Sequence, residues 1–285
     1  MNILEVEGLS KQRGGFHLND ISFQIPAGYI CGYVGQNGAG KTTTIKLIME
    51  QLKHETGMIK VNGITFEENE IKYKDQIGYI ADECYLPGEY TAVKLAAMLA
   101  GFYPSFQKKV FFDYLDKWNL PKNQKIKEFS KGMKVRIMFA CVLSRETKIL
   151  IMDEATSGLD PVIRTEILEE LQEYIEDGER SVLLSTHIMS DLDQVADYIF
   201  FLNQGSKVFF DTKDEILDRY VVIKGGLEEL TADLEKRLIG AKKTQIGFEA
   251  LLETEQLEYI RKDFLVEKPS IEQIIVFYIQ GVRKK

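Results

Sequence analysis

A chain of 285 residues, 45% hydrophobic and 28% charged, has room for one large α/β domain with an appendage and excludes a disordered tract or a disulfide-stapled miniprotein. Forty-four acidic residues against 36 lysines and arginines leave a net charge of −8, which disfavours sequence-blind attraction to nucleic acid or anionic lipid. Any phosphate the chain binds has to be held by local groups.

Ile21, Phe23 and Ile25 alternate with polar residues, as do Ile59 and Val61 after Gly57, and both patterns predict half-buried strands. Between them, residues 30–34 predict a short apolar strand, a glycine cluster follows, and residues 42–51 predict a helix packed on a sheet through Ile45, Leu47, Ile48 and Met49. Residues 85–118 are rich in aromatics, with helical spacing broken at Pro104, which predicts an inserted helical subdomain. Ser130 is placed to cap a helix running to about Leu143, and residues 149–152 return to a buried strand. Asp160 followed by Pro161 starts a helix with Ile163, Ile167, Leu171 and Ile175 along one face, and residues 182–185 predict a further buried strand. Residues 198–210, centred on Asn203, Gln204 and Gly205, predict a β-hairpin. From residue 218 onward the α/β alternation stops. The pattern there predicts a small, mainly helical extension, ending with Ile271, Ile274, Ile275, Tyr278 and Ile279 at helical spacing after Pro269 and Ser270.

Cys31, Cys84 and Cys141 have neither metal-ligand nor redox-motif spacing, and an odd number cannot all pair, which fits a reducing compartment. The start MNILEVEGLS lacks the basic end and apolar run of a leader, and no stretch nears the ~18 consecutive apolar residues of a membrane span. Work at a membrane is expected to be peripheral.

GQNGAGKT at residues 35–42 fits the phosphate-loop pattern G-x-x-x-x-G-K-[ST] and lies between a predicted strand and a predicted helix. Gly35, Gly38 and Gly40 let the backbone around Gln36, Asn37 and Ala39 curl with its N–H groups inward, and the helix adds the positive end of its dipole. Lys41 is expected to reach the β and γ phosphates, Thr42 to offer a hydroxyl to Mg²⁺, and Thr43 to reach the α phosphate side. A glycine turn that precedes a lysine by chance is the plain alternative, and the flanking strand and helix disfavour it.

The strand at residues 149–152 ends in Asp153 and Glu154, two carboxylates at the edge of the sheet where ligands of open α/β folds sit. Asp153 can hold Mg²⁺, and Glu154 can accept a proton from an attacking water. An ordinary polar strand exit is the alternative for this pair taken alone. A further strand ends in Ser185, Thr186 and His187, which brings an imidazole to the same edge for a γ-phosphate contact.

Together, GQNGAGKT, FSKGM at residues 129–133, ILIMDEATSGLDP at residues 149–161 and STH at residues 185–187 resemble the ATP-binding-cassette family in order and spacing. The resemblance implies a P-loop NTPase (RecA-like) α/β core with an N-terminal antiparallel β subdomain. It implies a nucleotide-binding domain at residues 1–217, with its helical subdomain at about 84–147, and an accessory region at 218–285. It makes ATP and Mg²⁺ the cofactors, Glu154 the catalytic base, Asp153 the magnesium carboxylate and His187 the γ-phosphate sensor. It also implies a head-to-tail dimer with a second cassette, identical or related. Ser130, Lys131, Gly132 and Met133 then face the partner's ATP, and Asp160 with Ser157, Gly158 and Leu159 forms the D-loop.

Two departures stand out. Lys131 replaces the first glycine of the family's signature, and Asp82, beside Glu83, stands where the family has its Q-loop glutamine. An acid there can bind Mg²⁺ but repels phosphate, and Lys131 arriving from the partner is expected to offset it. Arg13 stands where the family stacks an aromatic on adenine, with Phe16 near enough to serve instead.

In the transporter branch a helix of a membrane permease docks between the Q-loop and the helical subdomain, where Tyr85, Tyr90, Phe102, Tyr103 and Phe106 lie, unless these aromatics form the subdomain's own core. The layout resembles the ATPase subunit of bacterial drug exporters, peripheral on the cytoplasmic face of the membrane and without a nucleic-acid partner. The alternatives are a non-transport cassette, such as the iron–sulfur assembly type, or a low-turnover regulatory module. The tail's apolar stripe is expected to pack within the chain.

Overall fold

In the computed structural model, which describes residues 1–260 and 264–282, the chain divides into two units, Met1–Phe210 and Asp211–Lys285. The first begins with β1 (Asn2–Arg13) and β2 (Phe16–Pro26), followed by β3 (Ile30–Val34), α1 (Lys41–Ile48), β4 (Thr56–Val61), α2 (Glu70–Asp75) and β5 (Ile77–Ala81). The helical insert carries α3 (Ala92–Phe102), α4 (Lys108–Lys117) and α5 (Lys131–Leu143). The chain then returns through β6 (Ile149–Asp153), α6 (Pro161–Ile175), β7 (Ser181–Ser185), α7 (Met189–Val195), β8 (Tyr198–Asn203) and β9 (Ser206–Thr212).

β2, β1 and β4 pair antiparallel, and a second sheet runs in the order β5-β6-β7-β3-β8-β9. Its members from β5 to β8 are parallel neighbours, which is why β3, β6 and β7 are buried along their whole length and read as unbroken apolar runs. The alternation at Ile21, Phe23 and Ile25 does what it predicted. These side chains are buried and pack, with Leu4 and Val6, on Tyr33, Ile151, Leu183 and Phe200 of the parallel sheet. The rings of Phe23 and Phe200 lie 4.8 Å apart. Parallel register sets Tyr33 against Ser185, and Asp153 against Ser185 and Ala81, so the exits of β3, β5, β6 and β7 share one edge.

Pro104 separates α3 from α4 as the sequence indicated, and Thr91 caps α3 by accepting from the Lys94 amide. Helix α5 starts and stops where the Ser130 cap and the apolar pattern placed it.

The second unit contains α8 (Lys213–Arg219), β10 (Tyr220–Gly225), α9 (Ala232–Arg237), β11 (Gly240–Lys243), β12 (Phe248–Glu253), β13 (Leu265–Glu267) and α10 (Ile271–Val282). The expectation of a mainly helical extension is corrected by an antiparallel sheet in the order β11-β12-β10-β13. β10 and β12 are six-residue strands with apolar runs of only three or four residues, too short for periodicity to separate strand from helix, and their pairing joins Tyr220 to Glu253 across the unit. The division falls after Phe210 rather than at 217, because α8 packs on β10 and α10. The apolar stripe of α10 covers its own unit. Ile271 and Ile274 are buried, the hydroxyls of Tyr278 and Tyr220 meet at 2.8 Å, and a Cβ on Gly281 would lie 2.1 Å from the Ile239 carbonyl.

Candidate functional site

The loop from β3 into α1 is built for a close backbone approach. Gly40, at φ 115°, stands at the N-cap of α1, and a Cβ there would come within 2.7 Å of the Phe16 ring. Lys41 is buried, donates to the Gly35 carbonyl at 2.7 Å and lies 3.5 Å from Glu154 Oε1. A cavity of about 530 Å³ opens over the loop, lined by Arg13, Phe16, Gln36, Asn37, Gly38, Gly40, Lys41, Thr42, Thr43 and Glu154. The structure thus brings together Arg13 and Phe16, both candidates for stacking on adenine, and most of the phosphate loop, while Ala39 is buried beneath it.

Asp153 ends β6 almost out of reach of solvent, and burial raises its carboxyl above the ordinary aspartate range. Its Oδ1 is buried with no hydrogen-bond partner, and so is Ser185 Oγ. An orphaned carboxylate oxygen beside a hydroxyl is a hard oxygen donor set of the kind Mg²⁺ takes, so the residues present fit the ion.

Glu154 follows at φ 55°, a left-handed conformation costing about 1–2 kcal/mol for a residue with a Cβ. Its amide donates to the Ser185 carbonyl at 2.9 Å, while its Oε2 lies 3.3 Å from His187 Nδ1. Lys41, Glu154 and His187, from three strand exits, therefore converge on one point.

Asp82 leaves β5 beside this edge, its amide donating to the Asp153 carbonyl at 3.0 Å. Its carboxylate is engaged elsewhere, by Lys131 Nζ at 2.5 Å. The expectation that Lys131 reaches Asp82 from a partner is corrected: the pair forms within one chain, because the N-terminus of α5 lies beside the exit of β5. Ser130 is exposed and caps α5 by accepting from the Met133 amide at 3.3 Å. Gly132 is buried where a Cβ would meet Ile163 of α6 at 2.6 Å. Asp160 caps α6 by accepting from the Val162 amide at 2.9 Å. None of these lines the cavity over the phosphate loop.

The insert's aromatics divide. Phe106 is buried against Phe111, whereas Tyr85, Phe102 and Tyr103 line a groove of about 500 Å³ with Ile71 and Met98, and Tyr90 is exposed outside it. The Arg145 guanidinium stacks 3.6 Å from the centre of the Tyr103 ring. Asp191, a buried carboxylate on α7 bonded to Thr156 and Arg164, escaped the sequence reading. One of two acids in a seven-residue helix, it carries no signal of its own along the chain.

The ABC transporter family profile matches residues 18–157. The ABC-type transporter ATP-binding protein EcsA of Bacillus subtilis (strain 168) is 32% identical over 249 residues, 84% of this chain and 99% of that protein. The linearmycin resistance ATP-binding protein LnrL of the same organism is 32% identical over 223 residues, 76% of this chain and 71% of that one. A solved ATP-binding subunit of an ABC transporter superposes with a TM-score of 0.70 at 30% identity, covering 75% of this chain and 91% of that chain.

Proposed function

Because this chain belongs to the ATP-binding proteins of ABC transporters, we propose that it hydrolyses ATP at the cavity over its phosphate loop and thereby drives a separate membrane permease as an exporter. It is an ATPase by family. The observation that carries the site assignment is the convergence of Lys41, Glu154 and His187 at the common exit of β3, β6 and β7.

In this reading the loop amides and the N-terminus of α1 receive the β and γ phosphates, and Lys41 exchanges Gly35 and Glu154 for phosphate oxygens. Asp153 and Thr42 would hold Mg²⁺, which when bound would supply neutralisation of phosphate charge. Glu154, freed from Lys41, accepts the proton of the attacking water, and His187 contacts the γ phosphate. A second cassette closes the site with the Ser130 hydroxyl and the exposed start of its α5, so ATP itself holds the dimer.

The groove beside Tyr85 and Phe102 receives a helix of the permease, and the name of LnrL, a resistance ATP-binding protein, favours export. No helix among the described residues is long and apolar enough to cross a membrane, and the chain works at the cytoplasmic face through that permease. A low-turnover regulatory module is the second reading, favoured by the Asp82–Lys131 pair beside the site.

Phosphate release by the purified protein with Mg²⁺ tests the assignment. Glu154→Gln is expected to lower kcat by about 10²–10⁴-fold while ATP binding persists and light scattering shows a trapped dimer. Wild-type turnover in Glu154→Gln would overturn the assignment, and absence of turnover even with the permease would favour the regulatory module.

A further inference from the structure

Asp191 has no exposed surface, yet its two oxygens serve two different segments. Oδ2 accepts from Thr156 Oγ1 at 2.8 Å, and Oδ1 accepts from Arg164 Nε at 2.5 Å. Arg164 Nη2 donates in turn to Ser190 Oγ at 2.5 Å. Thr156 is itself fully buried and stands two residues after Glu154. Helix α7, which carries Asp191, begins two residues after His187, and the intervening Ile188 amide donates to Thr186 Oγ1 at 3.0 Å. One carboxylate therefore joins the turn that follows Glu154, the helix that follows His187, and α6.

We propose that Asp191 is a positioning residue for ATP hydrolysis, fixing the separation of Glu154 and His187 by clamping the backbone just beyond each of them. The inference rests on the reading of Glu154 as the base and His187 as its neighbour at the γ phosphate. Glu154 is held at φ 55° by its surroundings, so the turn after it needs an anchor that does not depend on nucleotide. Within the turn, the Ser157 amide donates to the Glu154 carbonyl and the Leu159 amide to the Thr156 carbonyl, so an anchor at Thr156 sets the direction of Glu154. His187 is fixed less firmly. It is exposed, and its contact with Glu154 is 3.3 Å long, so its place depends on how α7 is held. Only a carboxylate presents two diverging acceptors, one for a hydroxyl and one for a guanidinium. The Thr156 hydroxyl, fully buried, would be left without a partner if the carboxylate were lost, and the quarter-exposed Arg164 would lose its ion pair.

The test uses the full chain and measures phosphate release, nucleotide affinity and thermal unfolding for each variant. Asp191→Asn keeps the shape but removes the ion pair with Arg164, and it is expected to lower kcat by about 10- to 100-fold with ATP affinity unchanged. Thr156→Val, which is isosteric, is expected to lower kcat in the same direction, and Thr156→Ser, which keeps the hydroxyl, to retain it. These variants decide the matter if Asp191→Asn does not fold. A merely structural role would lower the unfolding temperature and leave kcat per folded, nucleotide-binding molecule unchanged.

If the clamp acts by orienting Glu154, adding Asp191→Asn or Thr156→Val to Glu154→Gln costs little further turnover. Multiplicative losses in the double variant, or wild-type kcat in both folded Asp191→Asn and Thr156→Val, overturn the inference while the ATPase assignment stands. A wild-type chain that releases no phosphate even with the permease overturns the assignment, and this inference with it.

Discussion

Lys131 and Asp82, the two residues that depart from the family's motifs, meet as one ion pair. With side chains 43% and 47% exposed, the pair is worth no more than about 1 kcal/mol of stability, so its importance lies in where it holds the Asp82 carboxylate. Lys131→Gly is expected to release that carboxylate toward the phosphates and lower kcat/KM severalfold, and Asp82→Gln in the same chain to restore it. A double-mutant cycle in steady-state hydrolysis measures the coupling, and additive effects would remove it. The cysteines show the same dependence of chemistry on surroundings. Burial raises the thiol pKa of Cys31 and Cys141 far above the ordinary range, and it shifts that of the half-buried Cys84 upward. A thiol-disulfide titration of the native protein at pH 8 is expected to label Cys84 first and slowly, with all three reacting only after unfolding.

Elements with local punctuation are where sequence and structure agree most closely. Helix α6 starts at Pro161 because Asp160 accepts from the Val162 amide and proline supplies a preset φ where no N–H is needed. Asp160→Ala is expected to cost about 1 kcal/mol, read as a lowered midpoint in urea unfolding with unchanged slope. Helix α10 is bounded in the same way. Ser270 and Gln273 cap each other's amides, and Ile274 is fully buried below them. Strands β10 and β12 lack such signals, and their identity comes from pairing with each other. The insert's aromatics are likewise undecided by spacing: Phe102, before the break at Pro104, goes outward, and Phe106, after it, goes inward.

Each of the two units has its own apolar cluster, one joining the antiparallel and parallel sheets, the other under β10 and β12. Two such clusters predict partly independent unfolding. A chain ending at Thr212, the last residue of β9, is expected to fold and to bind ATP with unchanged affinity, measured by a fluorescent nucleotide. Ile274→Ala in the full chain is expected to remove about 2–5 kcal/mol from the second unit alone, lowering one calorimetric transition and sparing the other. A single transition that moves as a whole would show that the division is not a folding division.

The order of strand, phosphate loop and helix, the acids closing β6, the histidine after β7 and the caps of α5 and α6 were all legible in the sequence. Each is a pattern of neighbours along the chain, with local backbone chemistry as its cause. Register in the parallel sheet then brought Lys41, Glu154 and His187 together, as an α/β edge requires. Tertiary structure alone decided that Lys131 answers Asp82, 49 positions away in the same chain, and that Asp191 anchors Thr156 across 35. It alone decided that the tail contains a sheet. Those outcomes depend on which distant groups packing brings within hydrogen-bond reach, and no spacing along the chain encodes that distance.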